Sequence, residues 1–139
     1  MKKFRKSLLV TAACCLVASA PVSVAGGSFE FVFEDLLNYT YYETWEKANT
    51  SQAYTITLDK YNGLKKNTMS SSNIFGCRMK DMSIGPVVDV YHTYSNYVTN
   101  YPQAYIEYVS QGDDMKLGAK KDSDSTSSSA LRISGSVVP

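Results

Sequence analysis

The side chains best suited to nucleophilic chemistry are one histidine and three cysteines. Only Cys77 and His92 lie beyond the first 25 residues. An imidazole beside a thiol can remove its proton, and the thiolate that results is both a nucleophile and a metal ligand. This chemistry requires residues 77 and 92 to face each other, so the element between them decides whether it is available.

That element is predicted to be a β-hairpin over residues 74–95. Gly85 suits its turn because glycine takes positive φ without strain, and Ile84-Gly85 can form a two-residue tip. The opposed pairs are then Lys80 with Asp89, Arg78 with Tyr91 and Gly76 with Thr93 on one face, and Asp81 with Val88, Met79 with Val90, Cys77 with His92 and Phe75 with Tyr94 on the other. The first face pairs charges and the second is mostly apolar, so a slip by one residue is disfavoured.

In this register Cys77 and His92 lie mid-strand on the apolar face, with no Asn or Asp assigned to orient the imidazole. Buried cysteines usually behave as small hydrophobic residues, so a buried pair is favoured over a catalytic one. A redox or dimer-forming role for Cys77 is the other alternative.

Metal binding and carboxylate chemistry have weaker support in the sequence. One His and one Cys do not complete a usual zinc shell, and no acidic run has EF-hand spacing. Glycoside hydrolysis needs two carboxyl groups at a defined distance, and the sequence does not give that distance for any pair of glutamates. The acidic residues considered are Asp113, Asp114, Asp122, Asp124, Glu43, Glu46 and Glu107. We therefore expect no metal, no cofactor and no catalytic residue, which favours a protein that is not an enzyme.

Aromatic residues are the main resource for binding, since the chain has 11 Tyr, 5 Phe and 1 Trp. Alternation along a strand places some of these rings on the solvent side. Exposed Tyr and Trp rings offer contact area to a protein partner or flat platforms to sugar rings, while the alternative is that they fill the core. The predicted binding residues are Tyr41, Tyr42, Trp45, Tyr91, Tyr97, Tyr101 and Tyr105.

Strands are the elements that must position these rings. Apolar and polar residues alternate over 29–34 and 53–58, further strands are expected at 39–45 and 103–109, and Asn62-Gly63 predicts a second hairpin. Helical periodicity is missing from 26–139. The sequence therefore predicts an all-β fold, a small antiparallel β-sandwich or barrel-like domain.

The beginning of the chain is typical of export. Four cations in the first six residues precede an uncharged stretch that ends at the small residues before Gly26, which predicts a signal peptide cleaved after residue 25. Its apolar part, about 13 residues, is too short to span a membrane. The expected organisation is a signal peptide at 1–25, an all-β domain at 26–119, a flexible polar linker at 120–129 and an edge strand or tail at 130–139.

Removal of residues 1–25 changes the chemistry that remains. Residues 26–139 contain 10 Lys and Arg against 13 Asp and Glu, a net charge of −3, and Cys77 is their only cysteine. An internal disulfide is then impossible. A mildly acidic domain is also not expected to bind nucleic acid or an anionic membrane.

The Met1-Lys2-Lys3 start, the Val24-Ala25 boundary, the tyrosine-rich strands and the run Tyr94-Ser95-Asn96-Tyr97 resemble small exported all-β proteins of Gram-positive bacteria. Some of these are bacteriocin-like. The resemblance implies a secreted protein, free or associated with the cell wall. We expect a non-catalytic protein that binds a protein or a cell-envelope glycan through aromatic residues on a sheet face, with a bacteriocin-like antagonist as the alternative.

Overall fold

The computed structural model describes residues 26–34 and 39–139. The predicted signal peptide at 1–25 lies outside the described residues. The described residues form ten β-strands and no helix, which confirms the all-β prediction. The strands are β1 (Gly27–Phe33), β2 (Thr40–Glu46), β3 (Ala53–Leu58), β4 (Tyr61–Asn62), β5 (Lys65–Lys66), β6 (Phe75–Asp81), β7 (His92–Tyr94), β8 (Tyr101–Ala104), β9 (Asp114–Lys121) and β10 (Leu131–Val138).

Eight of these strands form two antiparallel sheets in a sandwich-like arrangement. The first sheet has the order β1-β10-β3-β8 and the second the order β2-β9-β6-β7, while β4 and β5 form a separate hairpin. Alternate apolar side chains of both sheets are buried between them, and the Phe29 and Phe75 rings stack across the gap at 6.4 Å. Each fully buried large apolar side chain contributes about 1.5–3 kcal/mol, so burial stabilises the described residues, whose one cysteine, Cys77, is free.

Strand β10 corrects the prediction of an edge strand or tail at 130–139. It lies between β1 and β3 and pairs with both. Leu131, Ile133 and Val137 are fully buried. The sequence signal for this strand is weak because a serine-rich segment precedes it and small residues interrupt its apolar pattern. Small residues suit a strand that packs closely between two neighbours.

The polar segment before β10 also differs from the linker predicted at 120–129. Its first two residues belong to β9. The rest is tied to the sandwich, since the Lys121 Nζ donates to the carbonyl oxygens of Ser127 and Ser129 at 2.8 and 2.7 Å, and the Ser125 Oγ accepts the Ile74 backbone N–H at 2.9 Å. Hydrogen bonds therefore hold this segment to the sandwich, whereas apolar contacts hold the strands.

The predicted 74–95 hairpin is confirmed at its open end and wrong near its turn. Phe75 pairs with Tyr94, Gly76 with Thr93 and Cys77 with His92, as predicted. Lys80, however, pairs with Val87 rather than with Asp89. Two residues of the returning chain leave the ladder between these points, so the Lys80–Asp89 and Arg78–Tyr91 pairs do not form.

The Asp81 backbone N–H donates to the Pro86 carbonyl oxygen, so the turn contains residues 82–85 rather than the predicted two-residue tip. Asp81 stabilises this longer turn by further local hydrogen bonds. Its Oδ1 accepts the Ser83 backbone N–H at 2.7 Å, and its backbone carbonyl accepts the Gly85 N–H at 3.0 Å. Asp side chains stabilise such turns by bonding to backbone two residues ahead. Gly85 has φ +85°, which agrees with its expected role in the turn.

The second hairpin is confirmed with its tip moved by one residue. Asn62 pairs with Lys65, so Gly63 and Leu64 form the two-residue tip, and Gly63 has φ +59°. A glycine at the first tip position is the requirement of a type II′ turn.

Candidate binding face

The outward side of the second sheet carries four cations on its two central strands. Gly76, Arg78 and Lys80 of β6 lie opposite Lys120, Gly118 and Lys116 of β9, respectively. The residues that alternate with them, Cys77, Met79, Leu117 and Ala119, are fully buried, so the cationic set points away from the core. Together with three nearby tyrosines it makes up what we term the outer face: Tyr39, Tyr41, Arg78, Lys80, Tyr91, Lys116 and Lys120.

Aromatic rings hold three of these four cations in place. The Arg78 guanidinium lies 3.9 Å from the Tyr39 ring centroid. The Lys120 Nζ lies 5.2 Å from the centroid of Tyr39 and 4.8 Å from that of Tyr91, and the Lys80 Nζ lies 5.9 Å from that of Tyr41. Cations within about 6 Å of a ring centroid are attracted by its negative face. The side chains are therefore ordered without being neutralised.

Glycine in the central strands makes room for two of the rings. A Cβ at Gly118 would lie 2.6 Å from the Tyr41 ring, and a Cβ at Gly76 would overlap the Tyr91 hydroxyl. The Tyr91 hydroxyl donates a hydrogen bond to Asp122 Oδ2. Burial raises the pKa of Tyr91 and this hydrogen bond adds to the increase. The tyrosine thus stays neutral and fixed over the sheet.

We expect Gly76→Ala to destabilise the protein by about 1–3 kcal/mol, the usual cost of overpacking, because the new methyl group displaces the Tyr91 ring. Urea unfolding measures the loss. In a Tyr91→Ala background the same substitution should have a much smaller effect. An equal loss in both backgrounds would show that the clash with Tyr91 is not the cause.

The outer-face cations have no carboxylate partner among the described residues. The ion pairs in that part of the chain are His92–Asp89 and Arg132–Glu30. The Arg78 Nε is buried and has no hydrogen-bond partner among the described residues. Four of the 10 cations of 26–139 are therefore concentrated on one face of a chain segment whose net charge is −3. Net charge does not reveal this clustering.

The structure separates the predicted binding residues of β2. Tyr41 belongs to the outer face and is 38% exposed. Tyr42 faces the core because it alternates with Tyr41, and a bulge between Tyr41 and Thr44 turns Trp45 to the same side, where the two rings stack at 5.7 Å. Alternation and the bulge together explain why two of the three neighbouring rings do not join the exposed surface.

The remaining predicted residues are also divided. Tyr91 joins the outer face. Tyr105 is buried, and the Tyr97 hydroxyl donates to the Asn67 carbonyl oxygen at 3.0 Å, so both serve packing. Tyr101 is 49% exposed and lines a cleft between β7 and β8. Sequence reasoning missed Tyr39 and the four cations, although the alternation within β6 and within β9 was a signal that they share a face.

A buried polar cluster lies under β7. The Asp89 Oδ2 accepts the Tyr54 hydroxyl at 2.6 Å and the Met79 backbone N–H at 3.1 Å, and its Oδ1 lies 2.8 Å from the His92 Nε2. Asp89 leaves the ladder and its carboxylate turns inward. The sequence predicted instead that Asp89 would be exposed and paired with Lys80. This cluster links the two sheets.

Cys77 and His92 are strand partners, but their geometry does not support a thiolate nucleophile. Cys77 is fully buried, and burial followed by the nearby Asp89 charge raises the pKa of its thiol. The imidazole bonds to Asp89 and no hydrogen bond joins it to the Cys77 sulfur in the described residues. In those residues no cluster of three or more His, Cys, Asp or Glu side chains is placed to hold a metal ion.

The buried hydroxyls make stability sensitive to alkali. Burial raises the pKa of Tyr54, Tyr94 and Tyr105, each above its ordinary value of 10.0. Between the unfolded and folded pKa values the unfolded state has lost protons that the folded state retains, so stability falls as pH rises.

We therefore expect the free energy of unfolding to fall above about pH 10, by about 1.4 kcal/mol per pH unit for each group that must stay protonated. Urea unfolding at a series of pH values measures the slope. The Tyr54→Phe variant should show a smaller slope than the wild type. A constant free energy of unfolding through about pH 12 would contradict the burial of these hydroxyls.

No protein family, curated protein or solved structure matches this chain. Its residues must therefore carry any functional argument. Within the described residues, no helix has the length and apolar character needed to cross a membrane.

Proposed function

We propose that this is a secreted, non-catalytic binding protein that binds an acidic glycan through the outer face. The observation that carries the proposal is the Arg78 guanidinium, stacked 3.9 Å from the Tyr39 ring centroid and free of any carboxylate among the described residues. The flanking Lys120 is ordered by two rings in the same way. Such cations are held in position and have no carboxylate partner in the described part of the chain, which is the state that an anion needs.

The arrangement favours a polymer over a single small anion. Neighbouring strands lie about 4.8 Å apart, and outward residues of one strand recur about every 7 Å. Arg78, Lys80, Lys116 and Lys120 occupy such positions on β6 and β9, so they present cations in two adjacent rows. Repeated anionic groups along a chain can meet several of them at once. A guanidinium can in addition hold a carboxylate through two parallel hydrogen bonds.

A glycan is favoured over a nucleic acid or an acidic protein by the tyrosines and by the expected location. Tyr41 is 38% exposed beside the cations and offers an amphipathic ring surface to a sugar. The predicted signal peptide at 1–25 and the resemblance to exported Gram-positive proteins both support contact with the cell envelope, where acidic glycans are available. The two other classes of polyanion are outcomes of the test.

Calorimetric titration of the full chain with polygalacturonate, with neutral dextran as the matched polymer, tests this proposal. We expect binding to polygalacturonate that weakens as salt is added, because screening reduces attraction between exposed charges, and no binding to dextran. Failure to bind polygalacturonate at low salt would overturn the proposal. Equal affinity for a single-stranded DNA oligonucleotide would overturn the glycan assignment.

A further inference from the structure

A cleft of about 470 Å³ lies between β8, an edge strand of the first sheet, and β7, an edge strand of the second. It is separate in composition from the outer face, since no outer-face residue lines it. Its lining includes His92, Tyr94, Asn96, Tyr101 and Gln103. Small-ligand pockets typically measure about 300–1,000 Å³, so the cleft has room for a ligand of modest size.

The lining groups are those that bind neutral hydroxyl compounds. Among the residues that the structure describes, no carboxylate, lysine or arginine lines the cleft, whereas hydroxyl and amide side chains supply donors and acceptors for hydrogen bonds. The Tyr101 ring is 49% exposed and meets the Tyr94 ring edge to face at 6.4 Å. One ring thus braces the other, and the exposed ring offers a platform to the apolar face of a sugar.

The polar groups of the cleft are held in place from behind. The Gln103 Nε2 donates to the Tyr94 hydroxyl at 2.9 Å. The His92 Nε2 is 2.8 Å from Asp89, whose other oxygen is fixed by Tyr54, and the His92 Nδ1 has no hydrogen-bond partner among the described residues. The imidazole is therefore oriented with one nitrogen available. Groups that are ordered before binding lose less entropy when a ligand arrives.

We propose that this cleft binds one neutral sugar unit, stacked on Tyr101 and hydrogen-bonded by the amide and imidazole side chains around it. The proposal does not depend on the acidic-glycan proposal, because it uses other residues and a ligand without charge. If both hold, the protein has two carbohydrate sites that differ in the charge they accept.

Saturation-transfer NMR of the full chain with methyl β-glucoside and N-acetylglucosamine tests the cleft. We expect at least one of these sugars to bind, and Tyr101→Ala to weaken that binding about tenfold, a loss of about 1.4 kcal/mol. Tyr101→Phe should retain the affinity because the ring remains. Tyr108→Ala removes an exposed tyrosine that does not line the cleft and should leave the affinity unchanged.

The Lys80→Glu/Lys120→Glu variant separates this proposal from the acidic-glycan proposal, since it should retain neutral-sugar binding. Loss of sugar binding in that variant, or an equal effect of Tyr101→Ala and Tyr108→Ala, would overturn the cleft assignment. Absence of any transfer signal at about 50 mM sugar, enough to fill a site with a millimolar Kd, would overturn it as well.

Discussion

Replacing Asp89 with Ala should lower the free energy of unfolding by about 2–6 kcal/mol, because two buried donors lose their acceptor at about 1–3 kcal/mol each. Asp89 is 2% exposed and accepts hydrogen bonds from the Tyr54 hydroxyl and the Met79 backbone N–H, both within the core. Its loss leaves these donors and the His92 imidazole without their acceptor. Unpaired buried donors carry their full desolvation cost.

Urea and thermal unfolding measure this effect, with a Tm decrease on the order of 15 °C for a domain of this size. Asp124→Ala is the matched control because Asp124 is exposed and its carboxylate accepts no hydrogen bond in the described residues; it should change stability by less than about 0.5 kcal/mol. Asp89→Asn should recover only part of the loss, since an amide has one acceptor oxygen where the carboxylate has two. Equal stability of the Asp89→Ala and Asp124→Ala variants would refute the linking role of the cluster.

Reversing two outer-face charges with Lys80→Glu/Lys120→Glu should weaken polygalacturonate binding about 100-fold, which corresponds to about 2.8 kcal/mol. The substitutions replace two attractive groups by two repulsive ones beside Arg78. They should also flatten the salt dependence of binding, because fewer charge contacts remain to be screened. Calorimetric titration at two salt concentrations measures both effects.

Lys65→Glu/Lys66→Glu is the matched control for this variant. Both residues are exposed on β5, away from the outer face, and the change in net charge is the same. We expect its affinity for polygalacturonate to stay within about threefold of the wild type. A similar loss in both variants would mean that binding responds to total charge rather than to this surface. Unfolding curves of both variants establish that the fold is retained.

Strand alternation and local turn chemistry made much of the fold predictable. The alternation in 29–34 identified the three buried phenylalanines of β1, and Gly85 and Asn62-Gly63 identified two turns. The pairing of Cys77 with His92 followed from counting back from the turn, and it is confirmed although the turn itself is longer. The turn contains two more residues than predicted, and two residues of the returning strand leave the ladder. These two changes cancel, so the open end keeps its predicted register.

The pairing of strands that are distant in the chain could not be predicted from the sequence. The pairing of β6 with β9 brings Arg78 beside Gly118 and Gly76 beside Lys120 across some 40 residues of chain, and nothing local specifies that partner. The alternation of cations with buried residues was visible in each strand separately. Only their adjacency turns two short cationic patterns into one face.

Irregular backbone accounts for the misplaced side chains. The bulge in β2 sends Trp45 inward, because a side chain moves to the opposite face whenever one residue is added to a strand. Asp89 is buried because it lies in the stretch between Val87 and His92 where two extra residues interrupt the ladder. Bulges depend on contacts with the neighbouring strand, so alternation along a single strand does not reveal them.

Backbone amide NMR of the full chain titrated with polygalacturonate tests the central claim most directly. We predict that the largest shift changes cluster at the backbone amides of Arg78, Lys80, Lys116, Lys120, Tyr39 and Tyr41, while those of the exposed β4–β5 hairpin are unaffected. Shift changes that cluster elsewhere, or that spread over the cations of 26–139 without preference for the second sheet, would contradict the assignment of the outer face as the binding surface.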